Sequence, residues 1–209
     1  KLVLTTLNQT GGSLPGASLQ LAGNSLWSAG DWNSTAGAAA SIAAGTTLTV
    51  NTTSVHDFNL RTITNNGVLD WQAGQLRTGN GGGIVNAAGA TFSDGANNFF
   101  ATAYGGAGVF TSNGTYTKTG TGIPNFQVAF NNNAAANINA GTLSLSGGGA
   151  AGAAGTFTVA GGATLSFDNG TYTLANGASL AGAGNTVLNN GTLSVAAGSA
   201  NIVSLTVNG

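Results

Sequence analysis

The sequence predicts a parallel β-helix, a solenoid in which each coil of chain lays three short strands onto the coil below. Three observations carry that prediction. The composition is Gly-rich and almost uncharged. Short units alternate polar and apolar residues. Every third unit recurs with a period of roughly 21–22 residues, within the range of solenoid repeats.

The chain has 209 residues, with 36 Gly, two Pro, no Cys and no Met. Charged residues make up 4%, against about 25% in an ordinary soluble domain. The acids are Asp31, Asp57, Asp70, Asp94 and Asp168; the bases are Lys1, Arg61, Arg77 and Lys118; His56 is the one histidine. Scattered bases of this number make no nucleic-acid surface and no anionic-membrane patch. A Cys-based zinc site or a disulfide framework is excluded. A hydrophobic content of 42% with a net charge of -1 argues against disorder. No apolar run is long enough to offer a membrane-spanning helix. Lys1-Leu2-Val3-Leu4 opens without a basic region followed by an apolar core, so the chain reads as a mature or excised segment without a signal peptide. Lack of Cys suits a protein exported through a periplasm, and a small cytosolic protein can lack Cys as well.

Helix is disfavoured because Gly costs about 1 kcal/mol per helical site relative to Ala. Ser, Thr and Asn also compete for backbone hydrogen bonds. Strand is favoured by the units themselves. Those beginning at Gly141, Gly155, Gly162, Gly170, Gly177 and Gly191 read GTLSL, GTFTV, GATLSF, GTYTL, GASL and GTLSV. Their alternation is the period of a strand with one buried face. Asn169-Gly170, Asn176-Gly177 and Asn190-Gly191 supply residues that tolerate positive φ at sharp corners.

Units such as those at Gly155, Gly162, Gly170 and Gly177 follow one another too closely for deep hairpins. Their spacing suits one side of a coil. The larger period appears from Gly141 to Gly162, Gly155 to Gly177 and Gly170 to Gly191, and such periods mark stacked solenoids. It predicts Leu143 and Leu145 against Leu165 and Phe167, and Tyr172 and Leu174 against Leu193 and Val195. It also places Asn169 against Asn190, starting a ladder of amides.

The N-terminal part carries looser units at Gly45, Asn66, Gly89 and Asn113, and Asn65 to Asn86 repeats the same long step. Residues 93–110 and 119–137 read as loops or bulged sides. The whole of 1–209 reads as one domain of about nine coils, with 1–65 less regular and 138–209 most regular. An antiparallel sandwich is the alternative fold, but it needs no three-unit period. A hexapeptide left-handed helix does not fit the period.

Chemistry has few places to reside. His56, Asp57, Arg61, Asp70 and Arg77 form the one acid/base-rich patch, and successive coils could bring Asp70 to Asp94 or Arg61 to Arg77. Glycoside hydrolysis needs two carboxyls about 5–9.5 Å apart, so this patch supports a carbohydrate-active enzyme as the rival reading; solvated corner charges are the plain one. Repeated calcium sites would need an Asp in each copy, which the units lack; no metal and no cofactor are expected.

Trp27, Trp32, Trp71 and Tyr104 are candidates for stacking on sugar rings or a partner; as core they would fill the helix interior. Phe99-Phe100 with Tyr104 reads as loop core or a contact patch. Thr115/Thr117, Thr156/Thr158 and Thr171/Thr173 suggest an ice-binding array, but one period on from Thr156/Thr158 stand Ala178 and Leu180, which break it. Sequons such as Asn33-Ser34-Thr35 are expected by chance in so Asn-rich a chain.

The run from Gly141 through GTLSLSGGG, GTFTVAGGATLSF and SLAGAGN resembles the repeats of filamentous-haemagglutinin-like adhesins and autotransporter passengers. The resemblance spans about residues 45–209. It implies a right-handed β-helical shaft outside a bacterial cell, serving as an adhesin or a stalk. It transfers no catalytic residue, because no catalytic motif is present to match. The expected function is therefore a non-enzymatic, extracellular structural or adhesive shaft of a surface fibre. Its partner would be a host or neighbouring-cell surface, with a glycan as one form of ligand. A self-assembling filament or sheath subunit without ligand is a further alternative. The final unit, Ile202 to Gly209, has no polar cap, so the edge is expected to continue into further chain or to stack head-to-tail on a second copy.

Overall fold

The computed structural model describes residues 1–35 and 37–208; Gly209, at the end of the last unit, lies outside them. These residues form 28 strands and no helix. All pairings are parallel and the strands stack as three faces of a solenoid.

Face A runs through ten strands, from Leu2–Leu4 to Thr192–Val195. Face B begins at Asn8–Ser13 and ends at Asn201–Ile202. Face C runs from Val55–Asp57 to Thr206–Val207. The strand Ser25–Asp31 turns the corner between two faces: Leu26 pairs with Thr49 on face B and Asp31 with Asp57 on face C. The ten strands of face A correct the expectation of nine coils. Most steps along face A stay close to the expected period, as in Ile63↔Ile84 and Tyr172↔Leu193. The shortest step is Leu2↔Leu19 and the longest Ile84↔Phe110.

The predicted stacking of Leu143 and Leu145 on Leu165 and Phe167, and of Tyr172 and Leu174 on Leu193 and Val195, is the observed register. Other details differ. Residues 93–110 and 119–137 are not open loops. They include the strands Phe99–Thr102, Val109–Ser112, Ala129–Asn132 and Ala135–Ile138. The extra length sits at corners; Val109–Ser112, Ala129–Asn132 and Ala135–Ile138 keep their alternation, while in Phe99–Thr102 Ala101 is buried beside Phe100. Thr156 and Thr158 pair with Ser179 and Ala181 rather than Ala178 and Leu180, because that coil is slightly longer than the period. The Thr file breaks at Ala181.

Side chains pointing inward fill the lumen. Trp71, Phe92, Phe100, Phe110, Tyr116, Phe126 and Phe130 are all buried. Their neighbouring rings lie 4.9–6.4 Å apart, mostly edge-to-face or tilted, the arrangement that aromatic quadrupoles favour.

Corners are closed by two devices. Gly170 and Gly177 take positive φ (70° and 92°), as their Asn-Gly sequences predict. At Gly67 and Gly114 closeness decides: an added Cβ would stand 2.3–2.4 Å from carbonyl oxygens of the coil below. The second device is an amide ladder inside the A–B corner. Asn65 Nδ2 donates to Asn86 Oδ1 (2.8 Å) and Asn86 Nδ2 to Ser112 Oγ (3.2 Å). Asn65, Asn86 and Asn132 each donate a further hydrogen bond to a backbone carbonyl. All four residues of this column, Asn132 included, are fully buried, so the amides hold a corner that apolar side chains would leave with unpaired carbonyls. Further amide–amide bonds join Asn59 to Asn80, Asn113 to Asn133 and Asn189 to Asn208.

Candidate functional site

Alternation decides which of the nine charges reach the surface. Arg61, Asp94 and Lys118 are wholly buried. Asp31, Asp57 and Arg77 stand in register on the outside of face C. The same outer column continues through Ala101, Gln127, Ser146, Asp168, Asn189 and Asn208. One face therefore carries four of the outward charges.

Arg77 grips Asp57 through two parallel bonds, Nε–Oδ1 at 2.7 Å and Nη2–Oδ2 at 2.8 Å. Its guanidinium lies 6.0 Å from the centre of the Tyr104 ring, and the bond to Asp57 raises its pKa. The Tyr104 hydroxyl meets Asp57 and Asn33; partial burial first, and then the Asp57 carboxylate, push its pKa up. On one side of this pair the adjacent outer column presents Val55, Gln75 and Phe99, with Val55 and Phe99 39% and 44% exposed. On the other side Asn33 Oδ1 accepts from Asn59 N (2.7 Å), and Asn80 Nδ2 donates to Asn59 Oδ1 (3.0 Å). The result is a strip holding the Asp57 carboxylate, the Arg77 guanidinium, four amides, the half-buried Tyr104 and the exposed Phe99 ring.

At the far end of face C, Asp168 is held by Ser144, Ser166 and Asn189. Burial would raise its pKa, but these hydrogen bonds outweigh it and hold the carboxyl below its ordinary value.

The structure separates most of the residues singled out in the sequence. Trp27 and Trp32 are not on the surface. They stack face to face in the lumen with centroids 4.0 Å apart. Trp27 Nε1 donates to Gly30 O and Trp32 Nε1 to Gln9 Oε1. Trp71 is likewise buried and donates to Gly74 O. The indoles bury more apolar area inside than any exposed role would allow. Tyr104 alone of the four aromatic candidates reaches solvent.

The acid/base patch also divides. Asp70 sits on the outside of face B, bonded by Gln72 Nε2. Its coil neighbour is Ser93; Asp94 pairs with Trp71 and points inward. Arg61 points into the lumen whereas Arg77 points out. Only Asp57 and Arg77 of the five remain together. Among the described residues no three His, Cys, Asp or Glu side chains cluster as metal ligands would.

His56 is buried edge-on to Trp27, with Nε2 3.0 Å from Trp27 O and Nδ1 without a partner. Burial lowers its pKa below the usual 6.5. The folded chain thus resists a proton that the unfolded chain accepts. Stability from this group is full above about pH 6.5 and falls below it, by up to about 1.4 kcal/mol per pH unit. Comparing urea midpoints of the chain and of His56→Asn between pH 7.5 and 5 is expected to show a fall in the first that the variant lacks.

Two interior sites escaped the sequence reading. Arg61 sends Nε to Trp32 O (2.5 Å), Nη1 to Ala17 O and Ala39 O, and Nη2 to Leu14 O. Burial lowers its pKa. Asp94 and Lys118 occupy consecutive positions of an otherwise apolar column, Val50–Trp71–Asp94–Lys118–Ile138. Burial pushes the Asp94 carboxyl up to about 7, against the opposing pull of the Tyr116 hydroxyl, Lys118 and Ala96 N. Burial also lowers the Lys118 amine, with Asp94 opposing. Parity was the available signal: in TFSD and TYTK the charge shares the inward parity of Phe92 and Tyr116.

A comparison of the chain with protein-family models, curated proteins and solved structures finds no match.

Proposed function

We propose that this chain is a non-enzymatic shaft of a bacterial surface fibre, holding an adhesive strip on face C. The observation that carries the reading is the division of labour around the coil. The lumen is packed with Trp, Phe and Leu, while outward charge and exposed rings gather along one face. A stacked solenoid draws its stability from neighbouring coils, which leaves the outer face free to vary. The strip around Asp57, Arg77 and Tyr104 offers hydrogen-bonding groups flanked by Val55 and Phe99, a surface suited to a glycan or other polar ligand on a cell.

The ion pair is partly exposed, with Arg77 at 33% and Asp57 at 16%. Arg77→Ala is therefore expected to change stability by less than about 1 kcal/mol. The same substitution, and Tyr104→Ala, are expected to abolish attachment of the purified chain to target cells. Unchanged attachment by both variants overturns the adhesive role. Antibody labelling of intact and permeabilised producer cells tests location separately; signal only after permeabilisation overturns it. Polysaccharide turnover lost in Asp57→Asn would establish the enzymatic alternative.

A further inference from the structure

From the register of two buried side chains, we propose that Asp94 and Lys118 condense into an isopeptide bond that staples two successive coils inside the lumen.

The register places the two side chains together. Asp94 and Lys118 are direct partners on neighbouring strands of face B, about 4.8 Å apart in the stacking direction. Both point into the lumen and neither is exposed. Both head groups lean along the chain in the same direction. Asp94 Oδ1 accepts from Ala96 N (3.1 Å), and Lys118 Nζ donates to Gly120 O. Gly120 in turn lies over Asp94, its N–H donating to Asp94 O (3.3 Å). Nζ here lies beyond ion-pair distance of the Asp94 carboxyl, and the flexible four-carbon lysine stem gives it the freedom to turn from Gly120 O toward Asp94.

The surroundings suit the condensation. Trp71 lies below Asp94 and Ile138 above Lys118 in the same column. Dry burial disfavours both ions and favours a neutral acid beside a free amine, the forms that react. The Tyr116 hydroxyl donates to Asp94 Oδ2 (2.5 Å), where it stabilises negative charge as Nζ adds. The Nζ lone pair attacks Cγ, and the carbonyl oxygen takes up the displaced electron pair. A proton then passes from Nζ to the departing hydroxyl. As the carbonyl re-forms, the Cγ–O bond breaks with its electron pair. Water leaves and a secondary amide remains; no oxidant or second reactant is required.

The product also fits the groups already in place. Its N–H needs one acceptor, which Gly120 O supplies; its C=O needs one donor, which Tyr116 or Ala96 N supplies. A buried amide so bonded costs far less than a buried acid and amine each holding part of a charge.

The intact mass of the folded, purified chain tests the proposal. The expected mass is about 18 Da below that of the sequence, one water lost. Trypsin, which cuts after Lys and Arg, is expected to leave residues 78–209 of the unfolded chain as one fragment because Lys118 is acylated. Lys118→Arg is expected to regain the full sequence mass. A chain of full sequence mass that is cut after Lys118 overturns the proposal and leaves a buried electrostatic pair. A succinimide at Asp94-Gly95 would lose the same water. In that case the mass deficit persists in Lys118→Arg or trypsin cuts after Lys118, and either result also overturns the proposal. Digestion of the wild-type chain after unfolding decides even if the variant does not fold.

Discussion

Arg61→Ala is expected to destabilise the N-terminal coils by about 3–5 kcal/mol. The guanidinium bridges carbonyls from three stretches of chain: Leu14 and Ala17, Trp32, and Ala39. Removing it takes the side-chain donor from all four carbonyls; Ala39 O keeps its bond from Leu19 N, and Leu14 O, Ala17 O and Trp32 O lose the guanidinium. The buried area of the arginine stem is lost as well. The charge itself is not the source of stability, since carbonyl oxygens rather than a carboxylate hold it. Arg61→Lys is therefore expected to recover less than half of the loss: an ammonium cannot present a planar fork to carbonyls on several sides. Solenoid stability is local to neighbouring coils. Hydrogen exchange should accordingly accelerate over residues 14–65 while the coils beyond Ala135 keep their protection. Uniform loss of protection along the chain would contradict this account.

Phe126→Ala is expected to cost about 3–5 kcal/mol, the usual range for removing a fully buried ring. Phe126 contacts Trp71, Phe100, Phe110, Tyr116 and Phe130, with centroids 4.9–6.2 Å away. Those neighbours come from its own coil and from the coils beside it, so the void cannot close by moving one side chain. Phe126→Leu should recover about half, because it keeps apolar volume but loses the edge-to-face contacts. Urea midpoints of the three chains give the comparison directly. The outward Phe99, next to the inward Phe100, supplies the contrast: Phe99→Ala should cost under about 1 kcal/mol, as an exposed substitution does.

Much of the fold was legible because period and parity are written into the chain. The regular step between GTLSL-type units specifies stacked strands, and the register of Leu143 on Leu165 follows from it. Coil length was less legible where corners expand, as between Ile84 and Phe110, since a corner insertion leaves no periodic mark. The candidate site was legible only in part. Asp57 and Arg77 stand one coil apart and meet, but Arg61 and Asp70, in the same stretch of sequence, lie respectively inside the lumen and on another face. For the tryptophans the sequence left two readings open, stacking on a ligand or filling the interior; the structure takes the second, because a solenoid lumen takes its filling from whichever residue has inward parity.

The sequence by itself determined the class of architecture: Gly and Asn at corners, Thr and Ser outside, Leu, Val and Phe inside, with almost no position that requires charge. That follows from local chemistry, since alternation and corner residues act within a few positions of the chain. The tertiary structure decided what the few charges do. Whether a charge becomes the partner of another on the next coil depends on the length of the chain between them, and a single added residue turns an inward side chain outward. Only the closed coil shows Arg77 clasping Asp57 at the surface, Arg61 satisfying carbonyls in the lumen, and Asp94 lying under Lys118 away from solvent.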